Sequence, residues 1–88
     1  MTVKFAPLLA GVVGAPEVRV EAQTIAGALD ALVRAHPSLR VHLFDESGRF
    51  RQHVLCFHNR TNTRWLDRLD VPVAPGDTLT LLQAVSGG

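Results

Sequence analysis

The chain has 88 residues, 47% of them hydrophobic, with nine basic and eight acidic side chains and a formal net charge of +1. That length holds one domain around one core, and that charge balance excludes a disordered tail or a polycation drawn to nucleic acid by electrostatics alone. No apolar stretch is long enough for a membrane span, no secretory leader is legible before the first alternating residues, and Cys56, the one cysteine, has no intramolecular partner, so the expected location is a reducing cytoplasm.

Val3, Phe5 and Leu9 alternate with polar or small residues until Gly11, Gly14 and Pro16 interrupt them, and Val18 and Val20 then alternate with Glu17, Arg19 and Glu21. The pattern predicts a β-hairpin with a loose, glycine-bearing loop. Thr24 is placed as an N-cap, because Ile25, Ala28, Leu29, Leu32 and Val33 come after it at the spacing of one helical face. Pro37 ends that helix. Gly27 inside it reads as a concession to close packing on a sheet.

Residues 38–44 fit either a short helical turn or a strand, and Asp45-Glu46-Ser47-Gly48 is turn chemistry. Residues 52–58 predict a third strand with Val54, Cys56 and His58 on one face and His53, Leu55 and Phe57 on the other. A polar turn over 59–63 precedes Trp65, Leu66 and Leu69, which fit one helical turn packed inward. Pro75-Gly76 suits the centre of a type II turn, and residues 78–84 predict the last strand, with Leu79 and Leu81 inward and Thr80 and Leu82 outward. The sum is an α+β fold: a four- or five-stranded mixed sheet with one main helix packed across it.

Residues 84–88 read as a flexible tail on a domain of residues 1–83, ending in Gly87-Gly88. Glycine makes up about 7% of average sequences, so a doublet at a given end arises by chance about once in 200 chains. Alone it decides nothing. A glycine has no Cβ, however, so such an end fits a tunnel too narrow for other residues. From Gln83 onward an extended tail reaches about 20 Å at most.

Hairpin, helix, the block Phe57-His58-Asn59, Trp65-Leu66, Leu69, Pro75-Gly76-Asp77, Leu79, Leu81 and the terminal Ala84-Val85-Ser86-Gly87-Gly88 together resemble the ubiquitin-like β-grasp sulfur carriers of the MoaD/ThiS family. The resemblance spans the chain, and the 45–51 loop is similar to that of the longer carriers serving cysteine biosynthesis, related specialised metabolism or molybdopterin synthesis, with cysteine or specialised metabolism ranked first. It implies a protein co-substrate rather than an enzyme, with the Gly88 carboxylate as the reactive group and Gly87 and Ser86 giving it reach. An E1-like adenylyltransferase/sulfurtransferase would use ATP and Mg²⁺ to make an acyl-adenylate, and sulfur would then replace the adenylate to leave a thiocarboxylate. No cofactor would be bound to the carrier itself. The other implied partners are a sulfur-accepting biosynthetic enzyme and a metalloprotease, with no nucleic acid or membrane. Leu55, Phe57 and Leu82 are the expected partner-docking patch, with Val85 anchoring the tail in the partner's groove. The competing expectation is a ubiquitin-like modifier joined through Gly88 to lysines of target proteins, and a third is an interaction module with an inert terminus.

His58 departs from the aliphatic residue common in relatives, and a histidine in the core layer needs a partner or solvent. Neither the four histidines nor Cys56 offers a converging metal set, and Cys56 reads as a small buried hydrophobe. Arg49, Arg51, Arg60, Arg64 and Arg68 form a basic cluster that fits a solvated face or electrostatic steering toward an acidic partner rim.

Overall fold

The computed structural model describes residues 1–66 and 68–83, apart from the side chain of Trp65. Among these, five strands form one mixed sheet: β1 (Thr2–Phe5), β2 (Glu17–Arg19), β3 (Val54–His58), β4 (Thr61–Asn62) and β5 (Thr78–Gln83), in the spatial order β2-β1-β5-β3-β4. The last strand lies in the middle. It runs parallel to β1, with Val3 opposite Leu79 and Phe5 opposite Leu81, and antiparallel to β3, with Cys56 opposite Leu81. These pairs put Val3, Phe5, Leu79, Leu81, Val54 and Cys56 on one face, all buried.

The expected hairpin is present, since β1 and β2 pair antiparallel, but its connection is not a loose loop. It contains α1 (Pro7–Val13), with proline in the first turn, Leu9 buried, and Gly14 closing the C-terminus at φ 88°. Gly11, Gly14 and Pro16 resemble loop punctuation, yet Gly11 is inside the helix and Gly14 is its cap.

The main helix, α2 (Ile25–Ala35), is as expected: Thr24 Oγ1 accepts from the Gly27 N–H at 3.0 Å, and Ile25, Ala28, Leu29 and Leu32 are buried. Two further N-terminal amides, those of Ile25 and Ala26, donate to the carbonyls of Val71 and Leu69 at 3.0 and 2.7 Å, so the 69–73 segment completes the cap. Gly27 does not pack on the sheet. A Cβ there would meet Thr24 Oγ1 at 3.2 Å, so the close approach is to the cap itself.

The ambiguous 38–44 stretch resolves as α3 (Leu39–Leu43), burying Leu39 and Leu43. In the adjoining turn, Asp45 Oδ1 accepts from the Ser47 hydroxyl and from the amides of Ser47 and Arg49, which hold its carboxyl below the usual range. Phe44 and Phe50 close its base, with ring centroids 5.0 Å apart. The third strand begins at Val54 rather than at residue 52. The 59–63 stretch, expected as a turn alone, also supplies β4, reached through Asn59 at φ 54°. In place of the helical turn across 65–69, a 3-10 turn spans Thr63–Trp65, and Leu66 and Leu69 are partly buried against the core.

The turn at Pro75-Gly76 is closed by the Asp77 N–H to the Ala74 carbonyl at 3.0 Å, but Gly76 lacks the positive φ that type II requires. Residue 84, expected within the last strand, lies outside the described residues.

Because Leu81 is wholly buried between Phe5 and Cys56 while Leu82 faces outward, the two neighbours should respond differently to truncation. Leu81→Ala is expected to cost about 2–5 kcal/mol in urea unfolding and Leu82→Ala about 1 kcal/mol or less.

Candidate functional site

Placing β5 between β1 and β3 makes the chain leave from the centre of the sheet, not from its edge. Near that point the Ala6 N–H donates to the Leu81 carbonyl at 3.0 Å, Leu55 stands opposite Leu82, and Val54 stands opposite Gln83. The Gln83 side-chain amide lies 2.9 Å from His53 Nε2. The expected tail residues Val85, Ser86, Gly87 and Gly88 lie outside the described residues.

The outer face of the sheet, away from the helices, carries the remaining expected site residues. One row across it reads Glu17, Lys4, Thr80, Phe57 and Asn62, and the next row toward the end of β5 holds Leu82 and Leu55. Leu55, Phe57 and Leu82 are half-buried, consistent with side chains that cover one another yet remain open to solvent. They form an apolar patch beside the point where the described part of β5 ends. Lys4, the only lysine of the chain, is exposed in the row next to that patch.

The opposite end of β5 is held by a polar knot. His58 falls on the core face, opposite Leu79, and its Nε2 lies 2.8 Å from Asp77 Oδ2. The same carboxylate oxygen accepts the Ala74 N–H at 2.8 Å, while the Asn59 side chain accepts the Thr78 N–H at 2.9 Å. The Ala74 amide first, then His58 and Asn59, hold the Asp77 carboxyl down to about 2. The histidine that needed a partner has one. The sequence carried a signal for the turn contact alone: Asp77 is the last residue of a Pro-Gly-Asp turn, and its carboxylate can reach back to the first amide of that turn.

Cys56 is 1% exposed, and burial pushes its thiol up to about 11, so it is not a thiolate nucleophile at neutral pH. Thr63, the one buried polar side chain among the described residues, donates to the Cys56 carbonyl at 3.0 Å and ties the 3-10 turn to β3. The arginine cluster is not uniformly solvated. Arg51 Nε donates to the Val41 carbonyl at 2.8 Å, Arg64 donates to three backbone carbonyls, and Arg68 pairs with Asp70. Arg49 and Arg60 are exposed. Among the described residues, no three His, Cys, Asp or Glu side chains are grouped to hold a metal, and no helix is long and apolar enough to cross a membrane.

The profile of the ThiS family matches residues 9–88. Small archaeal modifier protein 1 of Haloferax volcanii is 39% identical over 83 residues, covering 91% of each chain. Its crystal structure superposes with a TM-score of 0.85 at 37% identity, covering all of this chain and 98% of that one. A chain in the Amycolatopsis orientalis BexX/CysO complex superposes with a TM-score of 0.84 at 27% identity, over 99% of this chain and 98% of that one. The mixed sheet with its central last strand and crossing helix is therefore a β-grasp fold, and the protein is of the ubiquitin-like sulfur carrier or modifier class. The chain belongs to the ThiS family, whose members are small carrier or modifier proteins rather than enzymes.

The depressed Asp77 pKa fixes a sign for acid sensitivity. A carboxyl that titrates lower when folded than unfolded contributes stability above its unfolded value, near 4, and loses it as pH falls toward about 2. Asp77→Asn is expected to flatten the decline in unfolding free energy over that window, measured by urea denaturation at stepped pH.

Proposed function

We propose that the protein carries sulfur on its C-terminal carboxylate. The reading is carried by one juxtaposition: an apolar patch of Leu55, Phe57 and Leu82 flanks the end of the central strand, after which the sequence has five further residues, the last two being Gly87-Gly88. A carboxylate is a poor electrophile. In the proposed cycle the Gly88 carboxylate attacks the α-phosphorus of Mg²⁺-bound ATP on an E1-like enzyme, releasing pyrophosphate and leaving a mixed anhydride. Sulfide then attacks the acyl carbon and expels AMP, so that one carboxylate oxygen is replaced by sulfur. A persulfide attacking in its place leaves an acyl disulfide, and a second thiol of the activating enzyme attacks the enzyme-side sulfur, forming an enzyme disulfide and releasing the thiocarboxylate. The thiocarboxylate delivers that sulfur to a biosynthetic enzyme.

Each region has a separate role in this cycle. Ser86 and the two glycines are slim enough to thread a narrow channel, and Val85 would seat against its mouth. Specificity belongs to the body, where an aromatic and two leucines on a rigid sheet suit a buried docking patch. Similarity to the CysO chain favours cysteine or specialised biosynthesis as the destination, with molybdopterin synthesis next. A metalloprotease that acts at the tail would be a further partner.

A second reading is favoured by one finding, the 39% identity to small archaeal modifier protein 1. In that case the same acyl-adenylate is passed to lysine amines of target proteins and ends as an isopeptide bond.

The two products differ in intact mass after incubation with ATP, Mg²⁺, a sulfur source and the activating enzyme. The carrier reading predicts a single species heavier by the difference between sulfur and oxygen, and the modifier reading predicts large conjugates. A chain lacking Gly88 should give neither. Leu55→Ser combined with Leu82→Ser should raise KM for adenylation about tenfold or more while kcat changes little, since both leucines act in docking and not in the chemistry.

A further inference from the structure

We propose that Arg64 is a positioning residue for the C-terminal tail, acting through the start of β3. This deepens the sulfur-carrier reading and rests on it. One guanidinium nitrogen, Nη2, donates to the carbonyls of Arg51 at 3.3 Å, Gln52, and Val54 at 2.9 Å, so two N–H bonds are shared among three acceptors. Asn62 sets the clamp by accepting the Arg64 amide at 3.0 Å on its side chain, as the cap of the 3-10 turn. On the other side Arg51 Nε is fixed to the Val41 carbonyl of α3. Otherwise the stretch is exposed at Gln52 and His53 and has few apolar anchors of its own.

The link to the tail lies in the register. The pairing of β5 with β1 ends at Phe5 and Leu81, whereas its pairing with β3 continues to Leu55 opposite Leu82 and Val54 opposite Gln83. Among the described residues, the last two positions of β5 thus have a strand partner on one side, and that partner begins at Val54, one of the three residues whose carbonyls Arg64 holds. His53, between Gln52 and Val54, adds its contact to the Gln83 side chain. By holding the start of β3, the Arg64 clamp holds Leu82 and Gln83, the last described residues before the tail, and with them the base from which the carboxylate is presented to the activating site. A planar, permanently charged donor suits several converging carbonyls better than a lysine ammonium.

Amide hydrogen exchange on the full-length chain separates this role from simple stabilisation. Arg64→Ala is expected to speed exchange at Leu55 and Leu82 by about tenfold or more while Leu79 and His58 at the far end stay as in wild type. Arg64→Lys should fall between the two. In adenylation, monitored by pyrophosphate release, Arg64→Ala should lower kcat about tenfold and leave KM nearly unchanged, because the docking patch is intact. Uniformly faster exchange, or no change at Leu82, overturns the positioning role. So does wild-type kcat in the alanine variant. A wild-type chain that is not adenylated at all overturns the sulfur-carrier reading and the catalytic half of this proposal together, and the exchange pattern then decides the clamp alone.

Discussion

The parallel pairing of β1 with β5 is the constraint on which the whole architecture depends. Two strands at opposite ends of the sequence run side by side, Val3 against Leu79 and Phe5 against Leu81, and this places the last strand at the centre of the sheet. As far as Leu81 this strand has both of its ladders filled, so it is the part of the sheet least able to move, and Leu82 and Gln83 beyond it keep β3 as their partner. The C-terminal residues therefore depart from the most rigid element of the molecule. For a protein whose reactive group is proposed to be a chain terminus, that is a physical advantage, because a terminus anchored at an edge strand would share the edge's mobility.

The two faces of that sheet have separate work. On the inner face β1, β5 and β3 contribute two apolar residues each, and α1, α2 and α3 cover them with Leu9, Ile25, Leu32, Leu39 and Leu43, all fully buried. The outer face is freed from packing, and Leu55, Phe57 and Leu82 stay half-covered there. Alternation along a strand lets one residue step change role completely: Leu81 holds the core, and Leu82 belongs to the surface that a partner would meet. Polar groups stabilise the two ends of β5 differently. Asp77, His58 and Asn59 tie its start, and Arg64 holds the strand beside its end.

Strand facing was legible in the sequence, because a strict two-residue period needs no tertiary information. The same holds for α2, where Thr24 and the i, i+3, i+4 pattern agree. The helix α1 was not legible, since seven residues holding a proline and a glycine look like a loop until one sees that the proline is in the first turn and that a second glycine caps the end. Arg64 was invisible for another reason. Its acceptors are backbone carbonyls ten to thirteen residues earlier, and carbonyls carry no sequence signature. His58 was recognised as needing a partner, but the partner lay nineteen residues away across a strand pairing that only the fold reveals.

The central claim is that one sheet face docks while the other holds the molecule together. Titrating isotope-labelled protein with an activating enzyme of the E1-like class, and monitoring amide resonances, tests it directly. The account predicts that line broadening concentrates at Lys4, Leu55, Phe57, Thr80 and Leu82 and spares α2 and α3. Broadening centred on Ala26, Val33 or Arg40, on the helical side, would contradict it.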